Sequence, residues 1–276
     1  QRIAHAEKLL YKKLDEAKGK QAKLLRMHRW MRYAAVIAVI LLMGGGAGYW
    51  FYHNGADQQL MVAVANEGIV KEVVLPDGTR VWLNNLATLK YPREFSEKER
   101  NVYLEGEAYF EVSKNKKHPF IVQTETIDVQ VLGTHFNVDA YHDNLDVKTT
   151  LLSGSVAVSN KSKSVRMVLK PNEIAIYNKV EEKLTRKVLE NAEDEISWRQ
   201  GEFIFDDLPL QEIARELSNS FGATIQIADT TLQNYRITAR FRDGEDLATI
   251  LSVLHNAGYF DYSQNNKQII ITAKPD

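Results

Sequence analysis

The chain of 276 residues carries 44% apolar residues, enough for one or two packed domains, so disorder throughout is excluded. A formal net charge of -1 argues against a generally basic nucleic-acid binder, and no direct nucleic-acid contact is expected. With no cysteine, the chain can form neither a disulfide nor a thiolate zinc site.

Residues 1–32 form a basic segment with an amphipathic helical pattern. Leu10, Leu14 and Leu24 lie on its apolar stripe, along which a cytoplasmic partner protein could bind. The alternative is a basic helix that rests on anionic lipid. Because the chain begins with Gln1 rather than methionine, we expect it to begin part-way along a longer product.

Residues 33–52 are predicted to be a transmembrane helix. They carry no charge, and about 20 residues of helix match the thickness of a bilayer. A cleaved signal peptide fits less well, since its apolar region is shorter, and a soluble core helix is rarely apolar on every face. Gly44 and Gly48 form a small-xxx-small pair that either permits helix dimerisation or is simply tolerated.

The orientation of this span follows from the charges beside it. Lysines and arginines are frequent in the segment before the span, whereas after the span the first basic residue other than histidine is Lys71. The sequence therefore predicts a single-pass inner-membrane protein with a cytoplasmic N-terminus and a periplasmic C-terminus.

Two folded regions are predicted after the span. A linker, 53–66, leads into 67–180, where apolar residues alternate and Pro76-Asp77-Gly78 marks a turn. No helical period interrupts this region, which predicts an all-β domain, either a sandwich or a short solenoid.

A charged connector, 181–199, is followed by a pattern of β-α-β-β-α-β-β over 200–276. Helices are predicted around Leu210 to Leu217 and Leu247 to Leu254, with Asn256-Ala257-Gly258 ending the second. This order indicates a two-layer α+β domain.

Six motifs in this region resemble the FecR family of transmembrane anti-sigma regulators, specifically the Bacteroidetes-type members that end in a small secretin-and-TonB N-terminal-like domain. The motifs are LPDGTRVWLN (75–84), LEGEAYFEV (104–112), HPFIV (118–122), VLGTHFNV (131–138), LSGSV (152–156) and LKPNE (169–173). The motif residues singled out are Asp77, Gly78, Trp82, Gly106, Glu107, Phe110, Pro119 and Phe120.

The resemblance implies a fold and a role. Family members bind an extracytoplasmic-function sigma factor in the cytoplasm and respond in the periplasm to the signalling domain of a TonB-dependent outer-membrane transporter. Only about 30 residues precede the span here, so the resemblance implies that 1–32 is a truncated sigma-binding region.

Catalytic chemistry has weak candidates. Glu105 and Glu107 share one strand face, either as paired acid-base carboxylates or, as we expect, as a solvated face. His118, His135 and His142 lack the spacing of a metal site. We therefore expect no enzyme activity, no metal and no cofactor.

The Gly133-Thr134 bond is a candidate for self-cleavage. Some family members look to be cleaved at a Gly-Thr bond in this motif by an N-to-O acyl shift, in which the threonine hydroxyl attacks the preceding carbonyl. The alternative, which we favour, is a turn that begins a strand, with Thr134 bonding locally.

Two other functions compete with the regulator. A membrane-anchored periplasmic carbohydrate-binding module would use Trp82, Tyr91 and Tyr109 as stacking platforms, although aromatics in alternating strands are more often core. An anchored hydrolase lacks a catalytic constellation.

Overall fold

The computed structural model describes residues 37–46, 60–66, 70–242 and 244–274. The chain divides into two units, Gln1–Gln58 and Gln59–Asp276. In the first, residues 37–46 form helix α1. Among the described residues, no helix combines the length and apolar character needed to cross a bilayer. The predicted span 33–52 extends past α1 on both sides, and the segment 1–32, with Leu10, Leu14 and Leu24, lies outside the described residues.

The second unit begins with a β-domain, whose predicted all-β character is confirmed. Its strands are β1 (Leu60–Val64), β2 (Lys71–Val74), β3 (Arg80–Leu83), β4 (Thr88–Pro92), β5 (Arg100–Glu111), β6 (Phe120–Gln123), β7 (Ile127–Val131), β8 (His135–Ala140), β9 (Asp146–Ser153), β10 (Val156–Asn160), β11 (Arg166–Leu169), β12 (Glu173–Asn178) and β13 (Lys183–Val188).

The long strand β5 joins two sheets. Its first half pairs with β4 and β6 in sheet A, which continues through β7, β10 and β11, with β1 beyond β4. Its second half pairs with β3 and β8 in sheet B, which continues through β9, β12 and β13, with β2 beyond β3. In the described strands of both sheets, every pairing is antiparallel except β5–β6. A solenoid stacks parallel strands, so this pattern favours a sandwich-like arrangement.

One apolar core connects the two sheets. Phe110 of sheet B stacks on Phe136 with ring centroids 5.0 Å apart, and its ring lies 6.1 Å from that of Phe120 in sheet A. All three side chains are fully buried. Burial of each stabilises the fold by roughly 1.5–3 kcal/mol.

Strands extend past both ends of the region predicted to be β. β1 lies within the predicted linker 53–66, and its side chains are mostly exposed, so no alternation marks it. β13 lies within the predicted connector 181–199. Its charged sequence Lys183–Val188 is typical of an edge strand, because charge protects an open edge from further pairing. The remaining connector forms a 3-10 helix, Ala192–Gln200.

The C-terminal domain has the predicted order of elements with one addition, the short helix α3. It contains β14 (Phe203–Pro209), α2 (Leu210–Phe221), β15 (Thr224–Ile227), a short α3 (Thr230–Gln233), β16 (Arg236–Phe241), α4 (Leu247–Asn256), β17 (Asp261–Asn265) and β18 (Gln268–Thr272). β14 pairs with β16, and β15, β18 and β17 form a second sheet.

Local sequence explains the ends of the second long helix. Asp246 caps the start of α4 by accepting a hydrogen bond from Thr249 N at 2.8 Å. Gly258, with φ of +90°, follows its end, as the Asn256-Ala257-Gly258 signal predicts. The two long helices, α2 and α4, bury their predicted apolar faces in the core of this domain.

Candidate functional site

Asp77 and Gly78 occupy the predicted turn between β2 and β3. Gly78 N donates to Leu75 O at 3.0 Å, and its φ of +81° favours glycine. The Asp77 carboxylate accepts hydrogen bonds from the backbone N and the hydroxyl of Thr79 at 3.0 and 2.8 Å. The aspartate side chain therefore holds its own turn.

Arg100, which sequence reasoning missed, joins this turn to another motif. Its guanidinium donates to Asp77 Oδ2 at 2.6 Å; the Arg100 side chain is buried, at 4% exposure, and that of Asp77 is partly buried, at 13%. It also donates to the carbonyl of Ser113 at 2.9 Å and to that of His118 at 3.0 Å. In the sequence it ends an ordinary charged run, so nothing distinguished it from a solvated arginine.

The HPFIV motif continues this cluster. Pro119 O accepts a hydrogen bond from Arg100 N at 2.8 Å, and the guanidinium lies 5.4 Å from the ring centroid of Phe120. Phe110 and Phe120 are core residues of the β-domain. These motif residues therefore support the fold rather than line an opening.

Trp82 lies in a stack of alternating cations and rings. The Arg80 guanidinium lies 4.7 Å from the Trp82 ring centroid, and that of Arg199 lies 4.5 Å from it and 4.2 Å from the Tyr109 centroid. Burial, with the nearby Glu111 carboxylate, raises the pKa of Tyr109 to about 12.

The arginine stack bears on the carbohydrate-binding alternative. Tyr109 is 4% exposed, and the half-buried Trp82 is covered by the guanidinium groups. Tyr91 packs against the core of the β-domain. Tyr109 and Trp82 therefore present no open face of the kind that a sugar platform needs, and Tyr91 is partly buried.

Glu107 is not on a solvated face, and that expectation is wrong. Its two carboxylate oxygens accept hydrogen bonds from Asn84 Nδ2 and Asn137 Nδ2, both at 2.8 Å. The neighbouring Gly106 has φ of +93°, and a Cβ there would lie 2.7 Å from Ala87 Cα. Only glycine fits that position.

Glu107 is covered because of the fold of the connector, which the sequence did not predict. Glu105, in the first half of β5, is exposed as expected. In the second half, the same strand face is covered, because Ile196 and Trp198 of the 3-10 helix pack on Tyr109.

Glu107 lines a cleft of about 510 Å³ between the β-domain and the C-terminal domain. Lys148 Nζ crosses it to Glu212 Oε2 at 3.3 Å. Asn219 of α2 accepts a bond from Asn85 Nδ2 through its backbone carbonyl and donates to Asn144 Oδ1 at 3.3 Å. The cleft also contains Asp139 of β8, Glu195 of the connector, and Arg215 and Glu216 of α2.

Carboxyl groups in this cleft are half-buried and interact with one another. Burial raises the pKa of Glu107 well above its usual range and also raises those of Asp139 and Glu195. It raises the pKa of Glu216 to about 8, although Lys148 opposes the shift. Burial alone would lower the pKa of Lys148, but the surrounding carboxylates outweigh that effect and raise it.

Gly133 and Thr134 lie just before β8. Thr134 is 3% exposed, and its hydroxyl donates to Ser155 O at 3.0 Å. Gly133 has φ of +146°, and a Cβ there would lie 2.7 Å from Lys114 Cα. Ser155 lies 21 positions further along the chain, so the expected local bond of Thr134 is wrong: its hydroxyl reaches the segment before β10 instead. Cleavage stays a separate prediction.

The histidines do not meet. His118 Nδ1 lies 3.2 Å from Asn115 Nδ2, and the exposed His142 lies 3.0 Å from a Glu125 oxygen. His135 is exposed at the start of β8. Across the ranges that the structure describes, no group of three or more His, Cys, Asp or Glu side chains could hold a metal ion.

Comparison with known proteins assigns both domains. A sequence model described as "FecR protein" matches residues 62–157, and one described as "FecR, C-terminal" matches residues 202–271. Two crystal structures from Parabacteroides distasonis, each of a proposed anti-sigma factor, superpose with TM-scores of 0.70 and 0.71 at 30% and 29% identity. Each match covers 78% of this chain and all of the solved chain.

The chain belongs to the FecR family. No curated protein matches it. The FecR match covers most of the β-domain and the C-terminal match covers β14 to β18, so the cleft is bordered by both family regions.

Proposed function

We propose that this FecR-family protein is a single-pass membrane regulator of a sigma factor. The observation that carries the proposal is the likeness, over the whole length of the solved chains, to two proposed anti-sigma factors. The uncharged segment 33–52, with basic residues before it, supports an anchor whose N-terminus is cytoplasmic. The β-domain and the C-terminal domain then lie in the periplasm.

The proposed partners are those of the family. An extracytoplasmic-function sigma factor binds on the cytoplasmic side, where Leu10, Leu14 and Leu24 form an apolar stripe. In the periplasm, the C-terminal domain binds the signalling domain of a TonB-dependent outer-membrane transporter. The outer strands β15 and β17 offer sheet edges for strand addition.

The proposed role is non-enzymatic. The motif residues Phe110 and Phe120 support the core of the β-domain rather than a reactive centre. The arginines that cover Trp82 weigh against the carbohydrate-binding alternative.

A binding experiment tests the periplasmic half of the proposal. The immobilised fragment 60–274 is titrated with purified signalling domains of transporters encoded near its gene. We expect one of them to bind with a Kd in the micromolar range or tighter, while the signalling domain of a distant transporter does not. If none of the neighbouring domains binds, transporter signalling is ruled out for this protein.

A genetic experiment tests the cytoplasmic half. We expect deletion of the gene to change transcription of one set of genes that share a promoter sequence, and deletion of the sigma factor to abolish that change. An unchanged transcript profile would contradict a role in sigma-factor control.

A further inference from the structure

The contact between the β-domain and the C-terminal domain is polar. Each domain has its own apolar core cluster. The polar contacts between the domains include the Lys148–Glu212 ion pair and the two hydrogen bonds of Asn219. Polar interfaces between domains permit relative motion more readily than apolar ones. Small changes in charge are therefore enough to shift this contact.

Acidic groups outnumber basic ones at its centre. We call four side chains the carboxyl cluster: Glu107, Asp139, Glu195 and Glu216. They come from β5, β8, the 3-10 helix and α2 in turn. Glu216 is therefore the one that the C-terminal domain contributes to the cleft.

Every element packed around Glu216 presents a charged group to it. Lys148 faces it from β9, Glu195 from the 3-10 helix, Asp139 from β8, Glu212 from its own helix and Glu107 from β5. Arg215 of α2 acts on Asp139, and Arg240 of β16 also lines the cleft. Three cations therefore face more carboxyl groups than they can neutralise.

Such a cluster cannot be fully ionised without strong repulsion, because nearby like charges disfavour one another's charged forms. The pKa of Glu216, about 8, indicates a carboxyl that keeps its proton near neutrality in this arrangement. Solvent can reach the cleft, since the Lys148 and Glu212 side chains are 31% and 39% exposed, so screening reduces the repulsion without removing it.

We propose that the carboxyl cluster is a proton-dependent latch, which holds the C-terminal domain against the β-domain while Glu216 is protonated and releases it when Glu216 ionises. The closed arrangement binds a proton from solvent, and opening returns that proton. Lys148 and the Asn219 bonds supply the attraction that the latch modulates.

The direction of the pH dependence follows from linkage. The pKa of Glu216 is raised in the closed state above its usual value of 4.5, so the closed state binds more protons than the open one between about pH 4.5 and 8. Its contribution to closure is fully present below that window and is lost as pH rises through about 8. Opening therefore increases with pH.

The absence of cysteine allows a direct test on the full chain in detergent. Ser162→Cys in the turn after β10 and Ser263→Cys in β17 replace exposed serines of the two domains, and both carry dyes for single-molecule energy transfer. From pH 6 to 8, we expect the closed-to-open ratio to fall at least about tenfold, which corresponds to at least about half a proton released on opening.

Three variants in the same labelled chain decide the matter. Glu216→Gln, neutral at every pH, keeps the closed population at pH 8, and Glu195→Gln weakens the response in the same sense. Glu193→Gln, on an exposed residue of the same 3-10 helix, leaves the response unchanged. Circular dichroism confirms that each variant is folded.

Two results would overturn the latch. One is an energy-transfer distribution that is the same at pH 6 and 8 in the parent chain. The other is a Glu216→Gln variant whose closed-to-open ratio changes with pH as much as that of the parent or of Glu193→Gln. If Glu216→Gln does not fold, an unaltered response in Glu195→Gln overturns it instead.

Discussion

Replacing Arg100 with methionine removes the charge that joins three parts of the β-domain. The guanidinium is 4% exposed and binds Asp77 Oδ2 as well as the carbonyls of Ser113 and His118. Methionine keeps apolar contact with the Phe120 ring below. The substitution therefore isolates the polar contribution more cleanly than alanine would.

The expected cost follows from these contacts. Removing one partner of a buried ion pair costs about 3–5 kcal/mol, because the remaining charge is left without compensation. Asp77 keeps two bonds from Thr79 and is 13% exposed, which lowers the cost. Two carbonyls lose a donor, at about 1 kcal/mol each. We expect Arg100→Met to lower the free energy of unfolding by about 4 kcal/mol.

Urea unfolding of a fragment, residues 60–274, measures this loss through the fluorescence of Trp82 and Trp198. The solved relatives are covered over their whole length by 78% of this chain, so a fragment of this extent is a folded unit in them. The matched control is Arg186→Met, whose arginine is 47% exposed and pairs with Glu173 at 3.5 Å. An exposed pair contributes less than about 1 kcal/mol.

A double substitution distinguishes charge pairing from packing. Asp77→Asn keeps the acceptor for Thr79 but removes the charge, so in combination with Arg100→Met it leaves no unpaired ion. The losses in free energy of unfolding of the two single variants should then sum to about 2 kcal/mol more than the loss of the double variant. A loss below about 1 kcal/mol for Arg100→Met, or strict additivity, would refute the reasoning.

Three further predictions concern other parts of the β-domain and its connector. Gly106→Ala forces a Cβ into backbone and should cost about 3 kcal/mol, whereas Gly258→Ala, also at positive φ but in open space, should cost about 1 kcal/mol by urea unfolding. Arg199→Gln removes the cation between two rings and should cost about 1–2 kcal/mol by the same measurement, and no loss would contradict the stack. Intact mass spectrometry at neutral pH should find the Gly133-Thr134 bond whole, since the threonine hydroxyl already has an acceptor, and two fragments would contradict this.

Much of the fold could be predicted, because it rests on periodicity. The alternation of Val102, Leu104, Ala108 and Phe110 marks the buried face of β5, and the helical spacing of Leu210, Ile213 and Leu217 marks that of α2. The strands β1 and β13 were missed because both lie at sheet edges, where exposure removes the alternation that identifies a strand.

The cleft could not be predicted, because it depends on contacts between residues far apart in the chain. Glu107 and Glu216 are separated by more than a hundred positions, and nothing near either one indicates burial. Arg100 and Arg199 looked like ordinary surface charges for the same reason. Only the packing of the connector on sheet B distinguishes the covered half of β5 from its exposed half.

The proposed relay depends most on topology, which one fusion measures. Alkaline phosphatase joined after Asp276 of the full chain, which is active only outside the cytoplasm, should show high activity in cells and stay with the membrane fraction. A β-galactosidase fusion at the same position should be inactive. The reverse pattern, or a chain that is soluble without detergent, would contradict a regulator that carries a periplasmic signal to a cytoplasmic sigma factor.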